Sequence, residues 1–307
     1  MALTYDEIDA HVRDKYIPVI QDQFFYSTPL MAQLMSKSKV VYDSGDKVAQ
    51  PVLYGELPHG WYSGLDTFDV SQIETTTLAK WDWKLLYVNV TLDGETTLKV
   101  EGDEKVLSIV QTKMENAQKT LTREFSQTIF STAQINKALV PLVLAIATSG
   151  TYGEIAKATY SWWQGNVNST GGAFSMDMFQ GMYGDCSDGS IHPDLIITTQ
   201  DVFDKLWLRV QPQQRNNMTA TPGLAAAGFT GINYNQATVV VDAHCPSGYA
   251  FFLNTDYWKM VVHSKRNMVW TDKKVPLNQD AVVRQLLFAG ALCCVAPRWQ
   301  GYIKSIS

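Results

Sequence analysis

From Asp103 to Thr132 the chain runs for 30 residues without a proline or a glycine. Val106, Val110, Met114, Ala117, Leu121, Phe125, Ile129 and Thr132 recur three or four apart, so they share one face of a helix. The positions between them are mostly polar, among them Gln111, Lys113, Glu115, Gln118, Lys119 and Arg123. Asp103 is placed to cap the first turn, where amide hydrogens need an acceptor. At about 1.5 Å per residue the rod is roughly 45 Å long, and helices average about 11 residues. A rod of that length with one narrow apolar stripe spans a domain, and the other elements must be laid along it.

The rest of the chain is rich enough in apolar residues to do so. At 307 residues and 46% hydrophobic, it supports one large domain or two modest ones. Net charge is −5 with no basic block, so the stripe expected of a phosphate-tracking nucleic-acid binder is missing. Nine Trp and fourteen Tyr point partly to core packing and partly to self-association, because large aromatics are enriched at interfaces. Cys186, Cys245, Cys293 and Cys294 lack the spacing of a disulfide framework and are expected to be reduced. No N-terminal signal is seen, and the apolar run Ala138 to Thr148 is too short to span a bilayer and contains Pro141. No membrane partner is expected.

Residues 1–36 look like an arm. Thr4 and Glu7 form a capping box for a short helix from Tyr5 to Tyr16, ended by Pro18. Phe24, Phe25, Leu30, Leu34 and Met35 then need something to pack on, in this subunit or a neighbour. Lys39 to Tyr54 and Val70 to Leu92 read as extended, the second run alternating through Leu78, Trp81, Trp83, Leu85, Tyr87 and Val90. Between them lies an aromatic, glycine-rich stretch with Leu57, Pro58, Gly60, Trp61, Tyr62 and Phe68, the tip of a long hairpin. A two-stranded ribbon is marginal in water by itself, so either another chain covers it or it folds back on its own core. After the helix, Ile155 to Val167 reads as a strand around Trp162 and Trp163, with one indole on each side, and Phe174 to Tyr183 as a short helix. From Pro193 the elements alternate: a buried strand Leu195 to Thr198, a helix Val202 to Val210, a polar loop Gln211 to Gly223, then strands in Phe229 to Val241 and Tyr249 to Val262. Ala281 to Ile303 reads as extended segments either side of Ala289-Gly290.

Sites of chemistry are sparse. The P-loop, Gly-x-Ser-x-Gly and His-Glu-x-x-His patterns are absent. Asp242, His244 and Cys245 form the one compact polar cluster, readable as a metal corner or a His-activated thiol. Pro246 and Gly248 follow at once, and a turn between two strands is the favoured reading. No cofactor and no catalytic residue is expected.

The order of parts is similar to that of tailed-bacteriophage major capsid proteins, whose Johnson fold is shared with encapsulins and herpesvirus shells. Local residues carry the resemblance over about residues 20–303: Tyr152-Gly153-Glu154-Ile155 before Trp162-Trp163, Pro193-Asp194-Leu195-Ile196-Ile197-Thr198 with Phe203, Val239-Val240-Val241-Asp242, Cys245-Pro246-Ser247-Gly248, Phe252-Leu253-Asn254-Thr255, Asn278-Gln279-Asp280 and Pro297-Arg298-Trp299-Gln300-Gly301. The resemblance implies an α+β chain with an N-terminal arm over 1–36 and an extended β-hairpin loop over 37–92 that clasps a neighbour. It implies a peripheral domain over 93–184 and 263–307 around a spine helix 103–132, and an axial domain over 185–262. The loop tip would carry the subunit contacts through Leu57, Pro58, Gly60, Trp61, Tyr62 and Phe68, and the axial tip would hold Gln213, Arg215 and Asn217. It further implies a structural protein, not an enzyme, whose pentamers and hexamers form the icosahedral head around double-stranded DNA without reading its sequence. Assembly would take place in the bacterial host cytoplasm, the product would be the virion capsid, and portal, scaffold or decoration proteins are possible partners.

Two departures shape the expectation. Some relatives lock the shell through a lysine on the extended loop, and here no lysine lies between Lys47 and Lys80, so the shell is expected to be non-covalent. Some relatives carry a long charged N-terminal scaffolding segment, for which there is no room before the hairpin, so any scaffold is expected to be separate. An encapsulin-type compartment keeps the fold and changes the cargo. A thiol or metal enzyme built on Asp242, His244 and Cys245 is the reading from another class.

Overall fold

The computed structural model describes residues 28–94, 103–210, 232–276 and 278–307. The helix expected over Tyr5 to Tyr16 lies outside the described residues, as do Phe24 and Phe25. The chain is a mixed helix-and-sheet protein with two large sheets, of which the five-stranded one packs along a long helix.

Helix α1 (Pro29–Ser36) begins at Thr28, whose hydroxyl accepts from the Met31 amide, with a proline in its first turn. Leu30, Met31 and Leu34 are buried in this subunit's own core, so the end of the arm packs at home. Strand β1 (Val40–Asp43) follows, then a ribbon of β2 (Lys47–Leu53) and β3 (Thr76–Asp82), then β4 (Lys84–Asp93). The expected single hairpin therefore divides. Only β2 and β3 pair with each other, over seven residue pairs from Lys47 with Asp82 to Leu53 with Thr76. β1 joins β12 (Trp258–His263) in parallel, and β4 pairs along ten residues of β14 (Ala281–Cys294). The apolar alternation runs on through Trp81, Trp83, Leu85 and Tyr87, but the core-facing positions shift by one at Trp83, from Ala79 and Trp81 in β3 to Leu86, Val88 and Val90 in β4. Trp83, the one residue between them, gives no turn signal.

The long helix is α2 (Asp103–Ile129). The side chains of Asp103, Val106 and Val110 lie outside the described set. From Met114 on, the apolar face buries as its spacing requires: Met114, Ala117, Leu121, Phe125 and Ile129 all enter the main core. The helix stops at Ile129, three residues short of Thr132, which is exposed. Phe125 meets Phe288 of β14 edge-on, with ring centres 6.0 Å apart, so the spine and the five-stranded sheet share a seam.

That sheet runs β1-β12-β14 to β13 (Val269–Trp270), with β4 also on β14. β14 does not break at Ala289-Gly290. Gly290 pairs with Val262 on one side and Lys84 on the other. A Cβ there would lie 2.7 Å from Met260 Cε and 2.9 Å from the Phe288 ring, so this glycine serves packing and the strand continues through it.

After α2 come α3 (Leu142–Ile146), the short pair β5 (Thr151–Tyr152) and β6 (Ile155–Ala156), β7 (Asn166–Asn168) and α4 (Met176–Asp185). The expected strand over Ile155 to Val167 is mostly absent. Ser161–Trp163 is a 3-10 turn, and it sends the two indoles to different contacts.

The second sheet has the order β7-β15-β11-β8-β10-β9, formed with β8 (Leu195–Thr198), β9 (Ile232–Tyr234), β10 (Ala237–Val241), β11 (Ala250–Leu253) and β15 (Gly301–Ile303). β8 is buried throughout because both of its faces are covered, and three of its four residues are apolar. Leu195 and Ile197 face the main core, while Ile196 faces a second cluster under α4 and α5 (Gln200–Val210). β8 pairs in parallel with β10 and antiparallel with β11. Among the described residues no helix is long and apolar enough to cross a membrane.

Candidate assembly interface

The ribbon β2–β3 has two unlike faces. Val48, Val52, Ala79 and Trp81 point inward and are buried, while Leu53 and Leu78 point outward and are largely exposed. Its root rests on the tight turn between β5 and β6. There Gly153 and Glu154 both have positive φ, +60° and +64°. The Lys80 amide donates to the Gly153 carbonyl at 3.0 Å. A Cβ on Gly153 would sit 3.1 Å from Ala79 Cβ and from the Trp81 ring, so both the dihedral and the close approach call for glycine. Trp81 packs edge-on against Tyr152 at 5.6 Å. The Tyr152 hydroxyl accepts from the Cys294 amide at 2.9 Å, which joins the seat to the end of β14.

Charge adds a further tie. Lys47 bridges Glu154 across the seat and reaches Asp82 at 3.4 Å on its own ribbon. The Glu154 contact, then Asp82, raises the lysine pKa above its ordinary value. The pair is exposed, so its role is alignment more than stability.

Where the ribbon ends, Tyr54 lies flat on Trp162. The other indole of that turn, Trp163, is buried and donates to the Tyr152 carbonyl at 2.9 Å. Beneath the seat the Lys157 side chain is wholly buried, and its Nζ donates to the carbonyls of Leu144, Ala145 and Ala147 at 3.0, 2.7 and 2.7 Å. These are acceptors that the end of α3 would otherwise leave unpaired. Burial pulls the lysine pKa down to about 8.

Beyond Tyr54 the chain leaves its own body. Trp61, Tyr62, Leu57 and Phe68 are exposed as expected of a tip, Gly60 is exposed, and Pro58 is half-buried. Leu65, Val70 and Ile73 belong to the same uncovered set, with Leu65 102% and Val70 91% exposed, and were missing from the expected residues. The signal that marks Leu57 and Phe68, an apolar side chain among turn residues, marks them as well. Local contacts shape the loop without burying it: Tyr62 meets Phe68 edge-on at 5.0 Å, and the Ser63 amide donates to Asp66 at 2.8 Å. An apolar surface of this extent is characteristic of an interaction site. The alternatives left open for the ribbon are thus divided between its parts. Its root is on its own core, and its tip is uncovered. Gln213, Arg215 and Asn217 of the expected axial tip lie outside the described residues.

Asp242, His244 and Cys245 close the turn from β10 to β11. The His244 amide donates to Asp242 Oδ1 at 2.8 Å, while its ring Nδ1 is 3.1 Å from Ser126 Oγ on α2. The turn is tied to the spine helix in this way. Burial raises the Asp242 pKa, and burial together with the neighbouring Asp242 pushes the Cys245 thiol up, away from a reactive thiolate. The Cys245 sulfur points to the Tyr249 carbonyl at 3.8 Å. Among the described residues no group of three or more His, Cys, Asp or Glu is placed to hold a metal ion.

Comparison with known proteins bears on this arrangement. A family model described as SU10 major capsid protein matches residues 94–307. No curated protein matches the sequence. The fold is similar to that of the cyanophage A-1(L) capsid asymmetric unit, with a TM-score of 0.65 at 15% identity, covering 93% of this chain and 94% of that one. It is similar to the capsid of a native GTA particle, TM-score 0.61 at 11% identity, covering 90% of each chain. It is also similar to the SrpI encapsulin from Synechococcus elongatus PCC 7942, TM-score 0.54 at 8% identity, covering 91% of this chain and 88% of that one.

Proposed function

This chain belongs to the SU10 major capsid protein family and is a structural protein of a phage head shell; from that premise we propose that its copies close into pentamers and hexamers of an icosahedral shell enclosing double-stranded DNA. The observation that carries the reading is the extended loop, whose apolar tip, with Trp61 and Leu65 fully exposed, is left bare by its own subunit. Rings form by repeating one head-to-tail contact, which requires two unlike surfaces on each subunit. Many modest contacts then sum to a durable wall.

In this reading the clasp is the ribbon 47–82, narrower than the 37–92 that the sequence suggests. Residues 93–184 and 263–307 form the peripheral domain around α2, and 185–262 the axial domain. Gln213, Arg215 and Asn217 are assigned to the axial tip. The shell holds without a lysine cross-link from the loop tip, which has no lysine between Lys47 and Lys80. It assembles in the host cytoplasm, with portal, scaffold and decoration proteins as candidate partners. An encapsulin-type compartment has the same fold, and the family match favours the phage capsid.

The test is purification of the chain alone, followed by light scattering and electron microscopy. Rings or shells are expected from the intact chain, and a soluble, folded subunit that builds neither from a chain lacking residues 57–68. A compact monomer persisting at high concentration would overturn the reading, and normal particles from the deletion would remove the loop from it.

A further inference from the structure

Two short connections carry the chain from one large sheet to the other. Residues 254–257 lead from β11 to β12, and residues 295–300 from β14 to β15. They run side by side in opposite directions, because β11 pairs with β15 in the second sheet and β12 with β14 in the first. A two-stranded ribbon thus leaves one sheet and enters the other, as strands do at a corner between sheets. The backbone ladder is interrupted at that corner. Phe252 opposite Gly301 is the last rung on one side, and Trp258 opposite Cys294 the first on the other. Beyond the latter, the Val295 amide still reaches the Tyr257 carbonyl at 3.0 Å.

The side chain of Gln300, wholly buried, fills the gap that is left. Its Oε1 accepts from the Asn254 amide at 2.8 Å and from the Trp258 indole at 3.0 Å. Its Nε2 donates to the Asn254 carbonyl at 3.3 Å and to the Ala296 carbonyl at 3.4 Å. Both acceptor sites and both donor hydrogens of the amide are used. Asn254 is held through its N–H and its C=O together, as an opposed residue holds it in an antiparallel ladder. The side chain therefore stands in for a missing rung. Neighbouring contacts brace both connections. Tyr257 and Trp299, one in the 3-10 turn of each, meet with ring centres 4.6 Å apart. Asp194, at the entry to β8, accepts from the Thr255 amide at 2.7 Å and from Lys37 at 2.8 Å.

We propose that Gln300 is the positioning residue that fixes the angle between the two sheets, and with it the curvature at which copies of the chain join. A buried polar group with every bond made rigidifies its surroundings and admits one arrangement. An apolar side chain of the same length would leave both backbone groups of Asn254 and the Trp258 indole without partners, and the corner would turn to find them. The second half of the inference rests on the shell reading. There the loop is carried on the ribbon that runs into β4 of the five-stranded sheet, and the axial domain takes β8 to β11 of the other. Their relative direction is set at the corner, and a closed shell needs that direction repeated from copy to copy.

The experiment places one spin label on each sheet, at Asn89→Cys on β4 and at Gln236→Cys between β9 and β10, both exposed positions. The four native cysteines are buried and do not take the label. Dipolar spectroscopy below the assembly concentration then reads the distance between the sheets. A single narrow distribution is expected with Gln300 in place, and a broadened or split one in Gln300→Met. Equal widths would overturn the proposal. Gln300→Asn decides the matter if the methionine variant does not fold. It keeps the amide on a stem one carbon shorter, so the rung is remade only where the connections draw together, and a displaced mean distance is expected. An unchanged mean would also overturn the proposal. Electron microscopy of Gln300→Met particles should show a spread of diameters, and uniform particles of normal size would deny Gln300 its part in curvature. An intact chain that builds no shell would count against the shell reading alone, because the label distances do not depend on assembly.

Discussion

The indole of Trp162 lies flat on the ring of Tyr54, with centroids 4.8 Å apart and planes 8° from parallel. The contact joins the last ordered turn of the ribbon to the 3-10 turn beside its seat, 108 positions away in sequence. It is the outermost point at which the extended loop is held by its own body. Past it, only local contacts act.

Trp162→Ala should therefore free the loop without unfolding the subunit. The aromatic pair is worth about 0.5–1.5 kcal/mol beyond its buried area, so a drop of a few degrees in melting temperature is expected. Amide exchange should rise over residues 47–55 and stay unchanged in β8. Equal protection of the loop in both proteins would show that the stack does not anchor it.

Gly153→Ala tests the seat. The new methyl meets Ala79 and Trp81 at 3.1 Å with φ at +60°. The left-handed backbone alone costs roughly 1–2 kcal/mol for a residue with a Cβ. Urea titration should show a loss of at least that size, and the ribbon must shift to relieve the contact. A stability equal to that of the original chain would mean that the seat yields freely.

Trp61→Ser with Leu65→Ser separates assembly from folding. Both side chains are fully exposed, so the change in subunit stability should stay within about 0.5 kcal/mol. Sedimentation should nevertheless show the loss of large particles. Unaltered particles would deny these side chains a part in the interface.

Alkaline pH should act through two opposed sets of groups. Lys157 has its pKa lowered from 10.5 to about 8 in the fold. Above pH 8 the folded chain releases that proton before the unfolded one does, so this residue makes stability rise with pH up to about 10.5. The four buried thiols behave oppositely. Burial lifts Cys186 and Cys294 to about 12, and Cys245 and Cys293 higher still, from an ordinary value of 9.0. Above pH 9 the unfolded chain ionises first, so stability falls, and four thiols outweigh one amine. Urea midpoints should be level or rising from pH 8 to 9 and fall beyond. In Lys157→Met the rise should vanish and the fall remain. A rise that persists in the variant would remove Lys157 as its source.

How far the fold can be read from the sequence depends on whether a contact is local. The spine helix is legible because its period is carried by Met114, Leu121, Phe125 and Ile129 alone, and the structure buries all four. Its end is not, since nothing at Thr132 tells a turn from one more residue of helix. The length of the ribbon is obscured because apolar residues alternate straight through Trp81, Trp83, Leu85 and Tyr87, while the core-facing set shifts by one position at Trp83, from Ala79 and Trp81 to Leu86, Val88 and Val90. Only the pairing of β4 with β14, nearly 200 residues on, separates β3 from β4. Gly290 reads as a break and is instead a packing position. Trp162-Trp163 has the composition of a strand, yet its contacts with Tyr54 and the Tyr152 carbonyl hold it in a turn. The loop tip is legible from Leu57, Trp61 and Phe68, apolar residues stranded among turn formers. The seat formed by Tyr152, Gly153 and Trp162 depends on partners far away in sequence, and no spacing announces it.

A single residue, Trp83, separates the ribbon from β4, and its indole is pinned to the Gly45 carbonyl at 2.9 Å. Tension applied to the loop by a neighbour therefore enters the body there, along the axis of a strand with ten cross-strand partners on β14. A load in that direction is shared by all the rungs at once and cannot peel them apart one by one. A wall under pressure from within would then stretch at its clasps before any subunit began to tear.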